Sequence, residues 1–595
     1  AGYFNYTISS DISVIESNLS GHQVILSDGG ISMSNIPAKL VYQLNQNDEL
    51  VLAWDISIEE TAQENWWSVR VDATTGAIVD QNNLMSSCNF DHDHSEHEGE
   101  VVTDFNKNLY NILNYKEAMA KKAAYNAAGV LVDTYEVFAM PLESPYYGAR
   151  TIEVTPADAT ASPFGWHDTD GVSGAEFTVT EGNNTSAYED GDNAGYQPDG
   201  GGSLEFIGYP FDQNYSNSNQ YEDAAITNLF YWSNIIHDVL YQYGFDEASG
   251  NFQENNYGNG GAGSDSVNSE AQDGSGTCNA NFGTPADGSN PRMQMYVCGN
   301  KDGDFDNLVI VHEYGHGISN RLTGGGNNTG CLGNQEQMGE GWSDWYGVVM
   351  TIEPGDLGTD GRAVGTYLFG QGIGGPGIRP FPYNTDIAAN PQTYDDIKTA
   401  AVPHGVGSVW ATTLWEVTWA LIDEHGWDPD IYNFTGDVNQ DAGNIQAMAL
   451  VTEGLKLQPC GPGFVDGRDA IFAADLALYG GANECILWDA FAKRGLGVSA
   501  DQGSSGSRSD GTEAFDTPTG TATFTAPLDL CINEGTMTNV GGGSPSGGIY
   551  SGPGVTDDGN GATYTFDPAA AGVGVHSITY EVPTGACSIA SSDSD

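Results

Sequence analysis

Apolar and polar positions alternate along the first hundred residues. Leu50, Leu52, Trp54, Ile56 and Ile58 are separated by less apolar neighbours, the period of a strand with one buried face. Trp67, Val69 and Val71 repeat the alternation, and a turn over 72–76 separates them from Ala77-Ile78-Val79, which predicts a small sheet module. Residues 88–100, Cys-Asn-Phe-Asp-His-Asp-His-Ser-Glu-His-Glu-Gly-Glu, carry no apolar period and read as a linker. Residues 108–127 are helix-prone, and 130–154 and 176–180 look strand-like among Gly, Asn and Asp turns.

The period then lengthens. Ile226, Leu229, Phe230, Ile236, Leu240 and Tyr241 recur at helical spacing and predict an amphipathic helix over 222–243. His237 within it reads as a packed structural histidine. Gly- and Asn-rich loops over 250–290 feed a strand pair that includes Arg292 to Val297, and further helices are predicted near 306–322, 405–425, 441–457, 466–478 and 484–494. Beyond Pro518 helical spacing stops, while Ile578, Tyr580 and Val582 alternate among Gly-rich turns, as in a small β-sandwich. At 595 residues the chain has room for three or four domains.

Charge narrows the functions. Lys and Arg total 18 against 81 Asp and Glu, a formal net charge of −63, which repels phosphate backbones and excludes nucleic acid as a natural partner. The acidity reads as a solvated surface, with some acidic loops suited to bound Ca²⁺. No run reaches the roughly 18 apolar residues of a membrane span. The eight cysteines form no Cys-x-x-Cys pair. Disulfides are predicted instead, with Cys278 to Cys298, Cys460 to Cys485 and Cys531 to Cys587 favoured by spacing, in an oxidising compartment.

The chemistry concentrates in one stretch. Leu308, Val311, Gly315, Ile318 and Leu322 form the buried stripe of a helix that carries His312-Glu313-Tyr314-Gly315-His316. Its two histidines stand one turn apart and face the same way, so both imidazoles can hold one Zn²⁺. Two solvent-facing histidines on an amphipathic helix would be the bland alternative. Glu313 projects beside the ion and is the candidate general base. A third ligand is required, and Glu340 in Gly339-Glu340-Gly341-Trp342-Ser343-Asp344 supplies it; Asp344, one turn on, is placed to accept the ring N–H of a ligating histidine.

The run from His312 through Asn320-Arg321-Leu322-Thr323-Gly324-Gly325, followed by Met338-Gly339-Glu340-Gly341-Trp342-Ser343-Asp344, resembles the signature of the fungalysin family of zinc metalloendopeptidases, relatives of thermolysin. Asn228 to Trp232, Ile235 to Asp238, Ala271 to Gly276 and Gly454 to Cys460 are similar to further blocks of that family, so the likeness spans roughly 130–517. The resemblance implies more than spacing does. His404 falls where the family has the histidine that steadies the oxyanion, Arg379 where an arginine holds a substrate carbonyl, and Asn279, Ala280 and Asn281 where an edge strand pairs with extended substrate. A carboxylate five residues before that histidine is replaced by Thr399, with Asp395 or Asp396 as substitutes. The first hundred residues resemble the family's pro-segment, and residues 536–562 resemble an immunoglobulin-like repeat of bacterial surface proteins.

The fold class implied is α+β and multidomain: a pro-segment sheet over 1–87, a linker and helix with the processing region over 88–129, a thermolysin-like catalytic unit with a β-rich half over 130–323 and a helical half over 324–519, and an Ig-like β-sandwich over 520–595. The function implied is a secreted, zinc-dependent endopeptidase acting on protein or peptide substrates, with its own pro-segment as inhibitor and folding partner, and with cell-surface attachment through the C-terminal module. The alternatives are a surface adhesin with a silent protease-like module and an exopeptidase on the same scaffold. His92, His94 and His97 of the linker, with Cys88, are further candidate metal ligands.

Overall fold

The computed structural model describes residues 4, 6–44, 49–63, 65–87, 114, 116–125, 132–213, 215–518, 522–525, 531–533, 535–544, 548–582 and 591–594. Cys88 and the linker histidines lie outside them, as does part of the helix-prone stretch over 108–127; the part described, 114 and 116–125, is helical.

Six strands, β1 (Val14–Ser17), β2 (Gln23–Leu26), β3 (Ile36–Leu44), β4 (Leu50–Glu59), β5 (Trp66–Asp72) and β6 (Ile78–Asn83), form an antiparallel meander in chain order. The predicted turn between β5 and β6 closes because Asp72 accepts the backbone N–H groups of Thr74 and Thr75 at 2.8 and 2.6 Å, while Gly76 takes the left-handed conformation at φ 72°. The alternation in β4 buries less than expected. Ala53 and Ile58 are covered, whereas Leu50 and Leu52 at its outer end are 65% and 42% exposed; among the described residues, Glu59, Gln63 and Trp66 at the other end meet Arg292, Gln294 and Gly283.

The chain then leaves this sheet. β7 (Met85–Ser87) joins a second sheet at its edge, which also contains β10 (Thr185–Glu189), β12 (Val267–Ala271), β13 (Ala280–Gly283) and β14 (Arg292–Met295), in the order β10-β12-β14-β13-β7. A small sheet of β8 (Thr134–Val137), β9 (Thr151–Val154) and β11 (Glu205–Phe206) flanks it. The strand expected at 176–180 lies instead at β10, since the earlier residues make only an isolated bridge from Val179 to Asp199.

Seven helices follow the 3.6-residue spacing: α1 (Glu222–Gln242), α2 (Asn307–Leu322), α3 (Gly339–Met350), α4 (His404–His425), α5 (Gly443–Leu457), α6 (Phe464–Tyr479) and α7 (Glu484–Lys493). They share one core with the second sheet, with Trp232, Trp342, Trp345, Trp410 and Trp415 fully buried in it. Past residue 522 short strands enclose a separate small core of Phe524, Tyr550, Tyr564, Phe566 and Tyr580. No helix among the described residues is long and apolar enough to cross a membrane.

The Cys278 to Cys298 disulfide forms as predicted. Cys460 instead bonds Cys331, 129 residues away, and Cys485 is disulfide-bonded elsewhere. Sequence distance misleads here because α5 brings Cys460 back beside the loop that follows α2. Cys587 of the third expected pair lies outside the described residues.

Helices α2, α3 and α4 approach closely because glycines line their contacts. A Cβ on Gly315 of α2 would stand 2.9 Å from the Ser343 Cα of α3, and one on Gly407 of α4 would stand 2.4 Å from the Glu340 Cβ. Replacing Gly315 by Ala should therefore push α2 from α3 and cost roughly 1–3 kcal/mol in urea unfolding. Gly339→Ala, at a position with no atom within 4 Å of the added Cβ, should change stability by less than about 0.5 kcal/mol.

Candidate metal centre

Helix α2 begins where the Asp306 side chain accepts the Val309 N–H at 3.4 Å. It is pinned at the other end by Arg321, fully buried, which donates to Asp265 Oδ2 at 3.0 Å, to the Gly250 carbonyl at 2.9 Å and to the Pro285 carbonyl at 2.9 Å. Between these anchors lie His312, Glu313 and His316, all buried. Helix α3 presents Glu340 in its first turn and Asp344 one turn later, also buried.

One donor atom from each of His312, His316 and Glu340 lies within 4.8 Å of the others. The Nε2 atoms of the two histidines are 3.1 Å apart. Those of His312 and His316 stand 3.5 and 3.7 Å from Oε2 and Oε1 of Glu340 respectively. His312 Nδ1 donates to Asp344 Oδ1 at 2.7 Å, which makes Nε2 the ring nitrogen turned toward Glu340 and His316. Two imidazoles and one carboxylate, closed on one side by protein, suit a divalent transition metal with a coordination position left over.

Charge inside this buried cluster is strongly ordered. Burial raises the Asp344 carboxyl, but Arg379 and His312 outweigh it and hold the group below the usual carboxylate range. Glu340 is likewise held far below that range, burial being overcome first by His312 and then by the other cationic neighbours. Burial opposes the His312 imidazolium, yet Asp344 and Glu340 lift it to about 10, with the Glu313 charge assisting. Burial brings His316 down to about 3, and the positive charge of His312 adds to this.

The other predicted residues gather at the same place. His404 opens α4, and its Nε2 stands 3.5 Å from Glu340 Oε1. Neither proposed substitute orients it visibly: Asp395 accepts from Lys398 at 2.6 Å, and Asp396 caps the turn that contains it. Arg379, expected on a substrate carbonyl, is turned onto the centre. It donates to Asp344 through Nε at 2.6 Å and Nη2 at 2.9 Å, and to Glu340 through Nη2 at 3.0 Å. Two buried carboxylates hold a guanidinium more strongly than a neutral carbonyl does. Tyr383, whose hydroxyl also donates to Asp344 Oδ2, was not picked out from the sequence, because nothing in Pro382-Tyr383-Asn384 distinguishes it from a core tyrosine. His237 is structural, buried between Asp238 at 2.9 Å and Asn251 at 3.2 Å.

Asn279, Ala280 and Asn281 form the edge that flanks this centre, and β7 of the N-terminal region lies on it. Asn281 pairs with Ser87, Phe282 with Ser86 and Gly283 with Met85, antiparallel. Asn279 Nδ2 donates to Ser87 Oγ at 3.1 Å, and His404 Nε2 donates to the Ser87 carbonyl at 3.1 Å. The cavity beside His316 and Glu340 is walled in part by residues 81–87. Two further carboxylate groups, Asp168 with Asp170 and Glu176, and Asp190 with Glu270 and Asp273, bring oxygens within 4.8 Å elsewhere.

A helix bearing two histidines one turn apart, a glutamate beside the first, and a third donor from the next helix together define a metallopeptidase. Comparison with known proteins fixes which kind. The profile of the fungalysin metallopeptidase family (M36) matches residues 134–500, and the chain belongs to that family. It is 40% identical over 495 residues to the extracellular metalloproteinase MEP of Fusarium vanettenii, a match covering 81% of this chain and 69% of that protein. It is 42% identical over 419 residues to extracellular metalloproteinase 2 of Trichophyton rubrum, covering 68% and 64%, and 38% identical over 480 residues to the extracellular metalloproteinase mep of Aspergillus fumigatus, covering 79% and 67%. The chain thus spans about two thirds of the length of these relatives.

The ordered charge has a pH signature. His312 has a folded pKa near 10 against an ordinary 6.5, so after chelation its stabilising contribution is complete below about 6.5 and disappears as pH rises through about 10. The thermal midpoint of the chelated protein should fall across that window. His312→Asn should flatten the fall, and saturating Zn²⁺, which displaces the proton, should remove it.

Proposed function

We propose that this chain is a secreted, zinc-dependent endopeptidase whose residues 1–87 are a pro-segment bound in its own substrate cleft. The observation that carries the reading is β7: an extended strand paired antiparallel with β13, as a peptide substrate adds to a sheet edge, with its Ser87 carbonyl held by His404 beside the three donors.

His312, His316 and Glu340 would hold Zn²⁺, which supplies polarisation of a carbonyl oxygen and acidifies water. Glu313 takes a proton from the attacking water on its carboxylate and passes it to the leaving amine. His404 donates its Nε2–H to the carbonyl oxygen as negative charge develops there. Asp344 fixes the His312 ring through Nδ1, while Arg379 keeps Asp344 and Glu340 ionised and in place. Asn279, Ala280 and Asn281 align the extended substrate.

Several features support this over its rivals. The strand on β13 continues upstream from Ser87 through Met85 to the N-terminal sheet, so the cleft accepts chain well before the reacting carbonyl, as cleavage of internal bonds requires and an aminopeptidase does not. The complete donor set with Glu313 argues against a silent module in an adhesin. Disulfides and the extracellular naming of the relatives support secretion. The unit after residue 522 is read as an Ig-like accessory module for attachment to a surface.

Glu313→Gln should retain one zinc per chain by elemental analysis yet lose at least about 10³-fold in casein cleavage after the pro-segment is removed. His404→Ala should lower kcat by about 10²–10³-fold with a smaller effect on KM. Full activity in the Glu313 variant, or cleavage indifferent to chelator, would sink the reading.

A further inference from the structure

Resting on the substrate-like placement of β7, we propose that Arg292 selects the residue three positions before the cleaved bond and favours an acidic side chain there. If the Ser87 carbonyl marks the reacting carbonyl, Ser86 and Met85 occupy the second and third substrate positions. Met85 lies opposite Gly283, which in turn pairs with Arg292 on β14. Gly283 has no side chain to intervene, and a Cβ there would stand 2.9 Å from both Met85 Sδ and Trp66 Cε3. Across this gap Arg292 Nη2 comes within 3.9 Å of Met85 Sδ.

The pro-segment shows what this guanidinium binds. Nη1 of Arg292 donates to the carboxylate of Glu59, at the end of β4. Arg292 is only 5% exposed, and the carboxylate that contacts it most closely leaves with the N-terminal sheet. Its Nε side faces Glu270 Oε2 at 3.9 Å, beyond hydrogen-bond distance. Glu270 itself is clustered with Asp190 and Asp273 and is pushed up to about 8 by burial, with Arg292 opposing and the two aspartates adding to the rise. Glu270 thus flanks the guanidinium on one side without bonding it, while its two Nη groups point to Glu59 and Met85, where substrate would replace pro-segment. A glutamate in Met85's place would supply the carboxylate that Glu59 supplies now, and a guanidinium binds such a group through two N–H donors.

The test uses the zinc-loaded full chain, nicked by limited proteolysis between residues 88 and 131, and three blocked fluorogenic peptides that differ only in having Glu, Gln or Lys three residues before the cleaved bond. Residual β7 competes equally with all three, so ratios of kcat/KM report the subsite alone. Glu should exceed Gln by about tenfold, Arg292→Gln should bring that ratio close to one, and Arg292→Glu should turn the preference toward Lys. Equal cleavage of Glu and Gln by the unaltered enzyme overturns the inference, and a Lys preference overturns it in favour of the Asp190, Glu270 and Asp273 cluster. Cleavage of none of the peptides overturns the peptidase reading and this inference with it. Glu59→Gln in the unprocessed chain gives an independent check: it should speed cleavage of the Gln peptide by loosening the pro-segment, and an unchanged rate counts against Arg292 as a carboxylate site.

Discussion

The carboxylate of Asp344 is the point on which the metal centre turns. It is fully buried, where an unpaired charge would be prohibitive, and it accepts from His312 Nδ1, from two nitrogens of Arg379 and from the Tyr383 hydroxyl. Those donors come from α2 and from the segment after Gly377, while the acceptor is on α3. One side chain therefore ties three pieces of chain together, and the same contact dictates which nitrogen of His312 faces His316 and Glu340. Arg379 carries the constraint one turn along α3 to Glu340. Removing either partner would leave an uncompensated buried charge, which is why such clusters are costly to break even where they add little net stability. The close glycine contacts of Gly315 and Gly407 serve this arrangement, since the bonds to Asp344 form only if the helix backbones come this near.

Local periodicity and spacing made much of this visible beforehand. The helices were evident because their apolar stripes are long, and the histidine pair was evident because one helical turn is a fixed geometric unit. Asp344 followed from its distance to Glu340 by the same rule. What spacing could not reveal is any contact between segments with no periodic relation. Arg379 was placed near the reaction by family likeness, but its actual partners depend on how the 377–383 segment folds over α3, and Tyr383 carries no local signal at all. Cys331 and Cys460 are 129 residues apart in sequence, so a pairing guessed from short separations had no access to the packing that joins them. β10 was misplaced for a similar reason, because its short strand is defined by the parallel partner β12 and not by its own alternation.

The N-terminal sheet solves a problem that β13 poses. An edge strand next to a reactive centre offers unpaired backbone groups to any extended chain. On the proposed reading that edge receives substrate, so a helix or bulge could not cover it permanently. Here β7 covers it, and the rest of the sheet is held beside it: Trp66 packs over Gly283, Gln63 meets Gln294 at 3.2 Å and Glu59 meets Arg292. Side chains of β4, β5 and the loop joining them hold the sheet in place, while the main chain of β7 fills the cleft. The two roles are separable, so the grip can weaken without altering the residues that do chemistry.

The charge distribution gives that grip its character. With 18 basic residues against 81 acidic ones, cations are scarce, yet Arg292, Arg321, Arg362, Arg379, Arg468 and Arg494 are all buried. Most of them lock loops from within. Arg494 donates to the carbonyls of Asn384, Asn390 and Gln392 while pairing with Glu416, and Arg321 does the same at the end of α2. A planar guanidinium suits this work because its donors are fixed in direction and its charge does not titrate away. Arg292 differs in that its closest carboxylate, Glu59, sits on the N-terminal sheet. On the proposed pro-segment reading, loss of that sheet would leave the other five paired where they are and Arg292 without its closest carboxylate, facing only Glu270 at 3.9 Å. The inferred subsite would then sort substrate by charge at one position, through the same guanidinium that now holds Glu59 of the N-terminal sheet.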